Sequence, residues 1–439
     1  MSRRAGLRAL AGLAVLGAVA VGVGVWVNHH PDPAPVRGFE PGRGDRVVIV
    51  GNAFAERMQY FGHFETLLHA RFPGHELVVR NLGYTGDELT SPLTRAVGFF
   101  DHGHRLEDHK PDVLIACYGF NEAFAGPDGL ARFEAAADQF VSEAGATAYN
   151  GRAPPRVVLV SPIACENLGR PGLPDGAATN ENLGLYAEAM RAVAARHGAV
   201  FVDLFGPTRQ LMAGGGPKLT INGVHLTDAG DRRVAAVLDE ALFGPRPTTA
   251  GRVDYERLRA EVNEKNLQFW YDYRAANGNF IYGSHKTGPG RLHFPDEFAK
   301  LRKMVAARDR RVWAVARGEA VPARIDDAAS GTLPPVASVH KEPVRYLSPT
   351  EALAAFTVAP GFEVNLFASE ADFPDLRKPV AMAFDARGRL WVTTVPSYPM
   401  YLPGEPVNDK LLILEDTKGA GAADKATVFA DGLYLPTGL

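Results

Sequence analysis

The sequence predicts an α/β protein with a five-stranded parallel sheet between two helical layers, followed by a smaller all-β region. Three observations carry this expectation. Between Arg46 and Phe243, five short apolar runs rich in β-branched residues alternate with helical stretches, the pattern of strands buried on both faces. The residues with chemistry to offer stand just after those runs, where parallel sheets bind ligands. Beyond about residue 350 the pattern changes to short strands broken by turns such as "DARGR".

In chain order, "RVVIVG" reads as the first strand, and "FAERMQYFGHFETLLHARF" as an amphipathic helix with Met58, Phe61, Phe64, Leu67 and Leu68 on one face. "ELVVRN" and "DVLIACYG" are the next strands, and "LARFEAAADQFVSEA" is a helix. "RVVLVSP" is the fourth strand. "NENLGLYAEAMRAVAARHG" is a helix that places Leu183, Tyr186, Met190 and Val193 together and stops at Gly198. "AVFVDLF" is the fifth strand, and "AGDRRVAAVLDEALF" the last helix of the unit.

The regions flanking this unit, 46–250, are of other kinds. Residues 1–8 are basic, with Arg3, Arg4 and Arg8 ahead of the uncharged run Ala9 to Val27. That run is expected to be a transmembrane anchor or a signal peptide, with the remainder exported to the periplasm or cell surface and held at the inner membrane. Residues 28–45 read as a Pro-containing linker. Residues 251–317 read as a helical extension packed on the α/β unit, its Phe269, Trp270 and Tyr273 expected to be packing residues, with a ligand platform as the alternative. Residues 318–350 form a second linker, and 351–439 the all-β region.

Composition narrows the function classes. The chain has 439 residues, 46% of them hydrophobic, and a net charge of −3. That balance gives no case for a nucleic-acid partner. Cys117 and Cys165 are the two cysteines, too few for a disulfide scaffold; export permits a bond between them, and a buried small apolar Cys117 is the alternative. "DHGHRLEDH" gathers His102, His104 and His109 and is expected to be a solvated loop rather than a metal site. No metal or cofactor site is expected in this chain.

Four short motifs fall after strands: "VGNA" (Val50 to Ala53), "RNLGYTGDE" with Gly83, "YGFNE" with Asn121, and "INGVHLTDAG" with His225. In order, and over roughly Arg46 to Phe243, they resemble the four signature blocks of the SGNH, or GDSL, hydrolase family. The resemblance implies a flavodoxin-like three-layer sandwich of the SGNH type and a site for acyl transfer from an ester or an acetylated carbohydrate. In that site a serine at the start of the first helix attacks the ester carbonyl. A glycine N–H and an asparagine side chain hold the oxyanion. A histidine takes the serine proton, and a carboxylate three residues earlier orients it.

Carried over, the resemblance implies that Gly83 and Asn121 are oxyanion donors and His225 the base. The family's G-D-S reads Gly51, Asn52, Ala53, and its D-x-x-H reads Asn222, Gly223, Val224, His225. The nucleophile and the orienting carboxylate are therefore both replaced. In a serine protease, changing the triad aspartate to asparagine alone costs about 10⁴ in kcat, and alanine has no nucleophilic atom. Two routes would keep catalysis alive. A nearby hydroxyl could serve, Thr85 or Ser161; or His225 could activate water with help from Asp87 or Glu122, the other candidate auxiliary groups along with Asn52. Glu56 and Arg57 read as an exposed face or a local ion pair. The expectation is thus an esterase-like domain with degenerate catalytic residues, or a non-catalytic domain that binds a small ester or carbohydrate ligand.

The segment "APGFEVNLFASEADFPDLRKPVAMAFDARGRLWVTTVPSYP" resembles the opening of the β-propeller in bacterial membrane-bound proteins similar to sorbosone and glucose dehydrogenases. Such proteins often continue into helical repeats and a c-type haem domain. The resemblance implies that this chain is the first part of a larger, membrane-associated redox protein, with the rest of the propeller and a haem domain beyond Leu439.

Overall fold

The computed structural model describes residues 39–92, 103–245, 254–275, 290–335 and 345–439. The apolar run Ala9 to Val27 and His102 lie outside them. Among the described residues no helix is long and apolar enough to cross a membrane.

Five parallel strands form the first sheet: β1 (Arg46–Gly51), β2 (Val78–Asn81), β3 (Val113–Cys117), β4 (Arg156–Val160) and β5 (Val200–Val202), in the order β2-β1-β3-β4-β5. The strand order reverses between β1 and β3, so a crevice opens there beyond the strand ends. The helices that follow β1 are α1 (Ala53–Phe61) and α2 (His63–Arg71), and α3 (Leu106–His109) precedes β3. Next come α4 (Gly126–Ala146), α5 (Ala177–His197), α6 (Phe205–Ala213) and α7 (Asp228–Phe243). One sheet face packs Val47 and Ile49 against Phe64 and Leu67 of α2 and Val234 and Leu238 of α7. The other packs Val48, Leu114 and Leu159 against Phe133 and Phe140 of α4 and Leu183 and Tyr186 of α5. The alternation of β1 between the two faces is the strand period of two, buried on both sides.

Local chemistry corrects three sequence expectations. The first helix is two helices, because Gly62 at φ 68° caps α1 and a Cβ there would lie 2.2 Å from the Asn263 carboxamide. Helix α6 lies in a stretch to which the sequence assigns no element; its Pro207 sits in the first turn, where its missing N–H has no intrahelical partner to lose. From Gly103 on, the "DHGHRLEDH" stretch is no solvated loop. His104 and His109 are buried, 3.1 Å apart, and His104 Nε2 lies 3.1 Å from the Asp272 carboxylate.

Helices α8 (Tyr255–Tyr273) and α9 (Gly290–Ala316) lie along the edge of the sandwich. Phe269 and Tyr273 of α8 enter the core, and the Tyr273 hydroxyl donates to the Leu82 carbonyl at 2.7 Å. Arg308 of α9 pairs with Asp327, so part of the expected second linker is tied down. After the short helix α10 (Pro349–Ala354), strands β6 (Pro379–Phe384), β7 (Leu390–Thr394), β8 (Asp409–Glu415) and β9 (Lys425–Leu433) form one antiparallel sheet in sequence order.

Candidate active site

The crevice between β1 and β3 holds a cavity of about 350 Å³. Its floor follows from how β1 ends. Gly51 stands in register with Cys117, at φ 138°, and a Cβ on it would come within 2.2 Å of the Cys117 carbonyl oxygen. Only glycine brings the chain this close before it turns into α1. Asn52 is the N-cap, its Oδ1 accepting from the Phe54 N–H at 3.2 Å. Ala53 is thus the first helical residue, and it lines the cavity.

Asn121, at the turn after β3, also lines the cavity. Gly83 does not, which corrects the expected oxyanion donor. Its N–H already donates to Asn81 Oδ1 at 2.8 Å, and a Cβ on it would lie 2.3 Å from the Glu56 nitrogen. Gly83 is a glycine so that the loop can pack against the backbone of α1. Thr85 and Gly86, further along the same loop, are the ones at the cavity.

Asp87 and Glu122 are struts rather than auxiliary acids, and neither lines the cavity. The Tyr118 hydroxyl donates to Asp87 Oδ2 at 3.0 Å. Glu122 accepts from the Gly119 and Leu89 N–H groups at 2.9 and 2.8 Å, joining two of the motif loops. Burial outweighs those donors and pushes the Glu122 carboxyl up to about 7. Ser161 is spent as well: its hydroxyl oxygen accepts from the Leu204 and Phe205 N–H groups and lies 3.2 Å from Asp203 Oδ1.

His225 sits on a tight loop closed by the Ile221 N–H donating to its carbonyl at 2.9 Å. Asn222 Oδ1 accepts from the Val224 and His225 N–H groups at 3.3 and 3.0 Å. The His225 Nδ1 lies 3.0 Å from Asn222 Nδ2 and 3.2 Å from Oδ1. Because Oδ1 already takes two backbone donors, Nδ2 is the group offered to the ring. The carboxamide carries no charge to stabilise the imidazolium that forms when a histidine acts as base. Burial first, and Arg57 second, hold the imidazole below its ordinary pKa. An amide in place of a carboxylate supplies nothing to raise it.

Several site residues escaped sequence reasoning. Glu56 is no surface residue; it is buried, its Oε2 accepting from the Thr85 N–H at 2.6 Å and lying 3.0 Å from Arg274 Nη1. Its ion-pair partner comes from the end of α8, not from its neighbour Arg57. Arg57 instead lines the cavity and donates from Nη2 to the Leu226 carbonyl at 3.1 Å. Asp231, in the first turn of α7, is only 3% exposed and lines the cavity too. Glu166 accepts from the Leu219 and Thr220 N–H groups and braces the His225 loop. Spacing alone could not reveal these roles, since each partner lies far away in the chain. Cys117 and Cys165 are both buried free thiols, and among the described residues no cluster could hold a metal ion.

Residues 42–233 match the GDSL-like lipase/acylhydrolase family, and residues 348–439 match a domain of unknown function, DUF7133. Solved structures similar to the chain include a gut microbial diltiazem-metabolizing enzyme, at 19% identity and a TM-score of 0.38, with 46% of this chain and 48% of that chain covered. An alpha/beta hydrolase from the metagenome of Lake Arreo, Spain, is 21% identical with a TM-score of 0.37, over 46% of this chain and 97% of its own. A catalytic mutant of Axe2, an acetylxylan esterase from Geobacillus stearothermophilus, is 18% identical with a TM-score of 0.37, over 47% of this chain and 98% of its own. No curated protein matches the chain.

Proposed function

Starting from residues 42–233 as a GDSL-like acylhydrolase domain, we propose that this domain binds a small acyl or carbohydrate ligand without turning it over. One observation carries this: the first residue of α1, facing the cavity, is Ala53. The acyl-enzyme route needs an oxygen nucleophile at that point. The replacement of the orienting carboxylate by Asn222, whose neutral carboxamide faces His225 Nδ1, supports the same reading. Of the two other hydroxyls considered, Ser161 is committed to capping α6. Thr85 sits on an exposed loop with its backbone held by Glu56.

The cavity remains suited to a ligand. Phe54, Phe120, Ile163 and Val224 supply apolar wall, with few polar groups among them. The wider setting belongs to the same proposal: an exported, membrane-associated protein in which residues 351–439 open a β-propeller, with haem-dependent redox chemistry elsewhere in the full-length product. The four antiparallel strands in sequence order are consistent with one propeller blade.

The test assays the full chain on short-chain nitrophenyl esters and acetylated sugars, beside His225→Ala. The expected result is hydrolysis at the buffer rate in both proteins. Turnover that disappears in His225→Ala would overturn the non-catalytic reading and establish an enzyme.

A further inference from the structure

Arg57 brings a positive charge to the cavity, and among the described residues no carboxylate pairs with it. Its Nη2 donates to a backbone carbonyl, its Nε is buried without an acceptor, and no ion pair among the described residues includes it. The rings of Tyr60 and Phe61 lie 5.9 Å from its guanidinium carbon and offer only weak cation–π stabilisation. The cavity's one acidic residue is Asp231, whose Oδ2 is likewise buried without a donor. Burial, reinforced by Asp228, holds Asp231 well above the ordinary carboxylate range, toward its neutral acid. His225 is held on its neutral side. The position that would carry a negative charge in an active relative is Asn222. The site is therefore a partly closed, apolar-walled space lined by one cation, Arg57, whose hydrogen bond goes to a backbone carbonyl and not to a carboxylate. A guanidinium set against apolar wall favours a ligand that brings it an acceptor.

We propose that this cavity binds a carboxylic acid as its anion, Arg57 pairing with the carboxylate while the aromatic and aliphatic walls take the organic tail. The inference rests on the non-catalytic reading above and names the ligand class. Among the described residues Nη1 has no acceptor, and with Nη2 it makes the end-on edge that can meet a carboxylate. Asn121, at the same cavity, adds an amide donor. Phe120 and Phe124 pack edge to face, with ring centroids 5.6 Å apart. Phe124 is 72% exposed at the cavity, where a planar ligand would cover it.

Calorimetric titration of the full chain with benzoate and with benzamide, its neutral isostere, tests the proposal. Benzoate is expected to bind at least tenfold more tightly. Arg57→Gln is expected to lower benzoate affinity at least tenfold and leave benzamide unchanged, with partial rescue by Arg57→Lys. Phe124→Ala, at an exposed position, is expected to weaken both ligands several-fold and keeps the test open should Arg57→Gln fold poorly. Equal affinity for the two ligands, or benzoate affinity indifferent to Arg57, would overturn the proposal. If acetylated sugars or methyl benzoate bind and benzoate does not, the carboxylate inference fails and the binding reading stands. If none of them binds, both fail. If esters are turned over through His225, the non-catalytic reading fails, and the benzoate-to-benzamide ratio still decides the ligand class.

Discussion

At the scale of single residues, the site is defined by substitutions that keep shape and remove charge. Ala53 keeps the helix start, and Asn222 keeps the two backbone hydrogen bonds that fold the His225 loop. Asp231 and Glu122 are buried acids with pKa values raised by burial. For each, the folded state holds its proton more tightly than the unfolded chain does. Stability is therefore fully present below the unfolded pKa near 4 and declines as pH rises toward the folded value. For Glu122 the window runs from about 4.5 to about 7, and the loss across it is of order 3 kcal/mol. Asp231→Asn is expected to raise the melting temperature at pH 7.5 and to change little at pH 4, as scanning calorimetry would show. A lowered melting temperature at pH 7.5 would mean that Asp231 is ionised and pairs with a cation.

The elements show how far the sequence could be read. All five parallel strands and the long helices α4, α5 and α7 were legible, because a buried strand must be apolar and a covering helix must be amphipathic; the short α3, the break at Gly62 and α6 were not. The point where β1 meets α1 was legible for the same reason, and with it Ala53 and Asn52. Roles set by tertiary contact were not. Gly83 and Gly86 stand three residues apart on one loop, and nothing local says which one faces the ligand. The answer lies in the α1 backbone packed against Gly83. Gly83→Ala is accordingly expected to cost about 1–3 kcal/mol in denaturant unfolding, through overpacking alone, whereas Gly86→Ala is expected to change ligand binding more than stability. Glu56, Arg57, His104 and His109 misled for a related reason. Charged residues default to the surface, and the partners of Glu56 and His104, Arg274 at the end of α8 and the buried Asp272, arrive more than 160 residues later in the chain.

Across the whole molecule, the helical extension is joined to the sandwich by charges as well as by apolar surface. Lys265 of α8 is fully buried, 2.7 Å from Glu65 of α2 and within 3.2 Å of the Val79 carbonyl. Arg80 at the end of β2 pairs with Asp309 of α9. Burial works to raise the Glu65 pKa, but Lys265 and His69 outweigh it and bring the carboxyl down to about 2. This stabilisation is present above the unfolded pKa and is lost as pH falls from about 4.5 toward 2. Removing one partner strands the other, so Lys265→Met is expected to cost about 3–5 kcal/mol in urea unfolding near pH 7. A cost under about 1 kcal/mol would show that the pair is solvated. The antiparallel sheet is anchored through the same extension, Tyr401 stacking on Tyr271 at 4.2 Å beside Phe298 and Leu301. Its β6 strand leaves Met382 and Phe384 exposed, an apolar face that one sheet cannot bury by itself.

The turn into α1 carries Ala53 where an acyl-transfer site needs a nucleophile, and covalent labelling reads that directly. The full chain and an Ala53→Ser, Asn222→Asp variant would each be treated with a fluorophosphonate, and intact mass and peptide mapping would locate any adduct. The expected result is an unmodified natural chain, and one adduct per molecule on the variant, at position 53. An adduct on the natural chain, at Thr85 or at any other hydroxyl of the cavity, would contradict the account and place a working nucleophile where none is proposed.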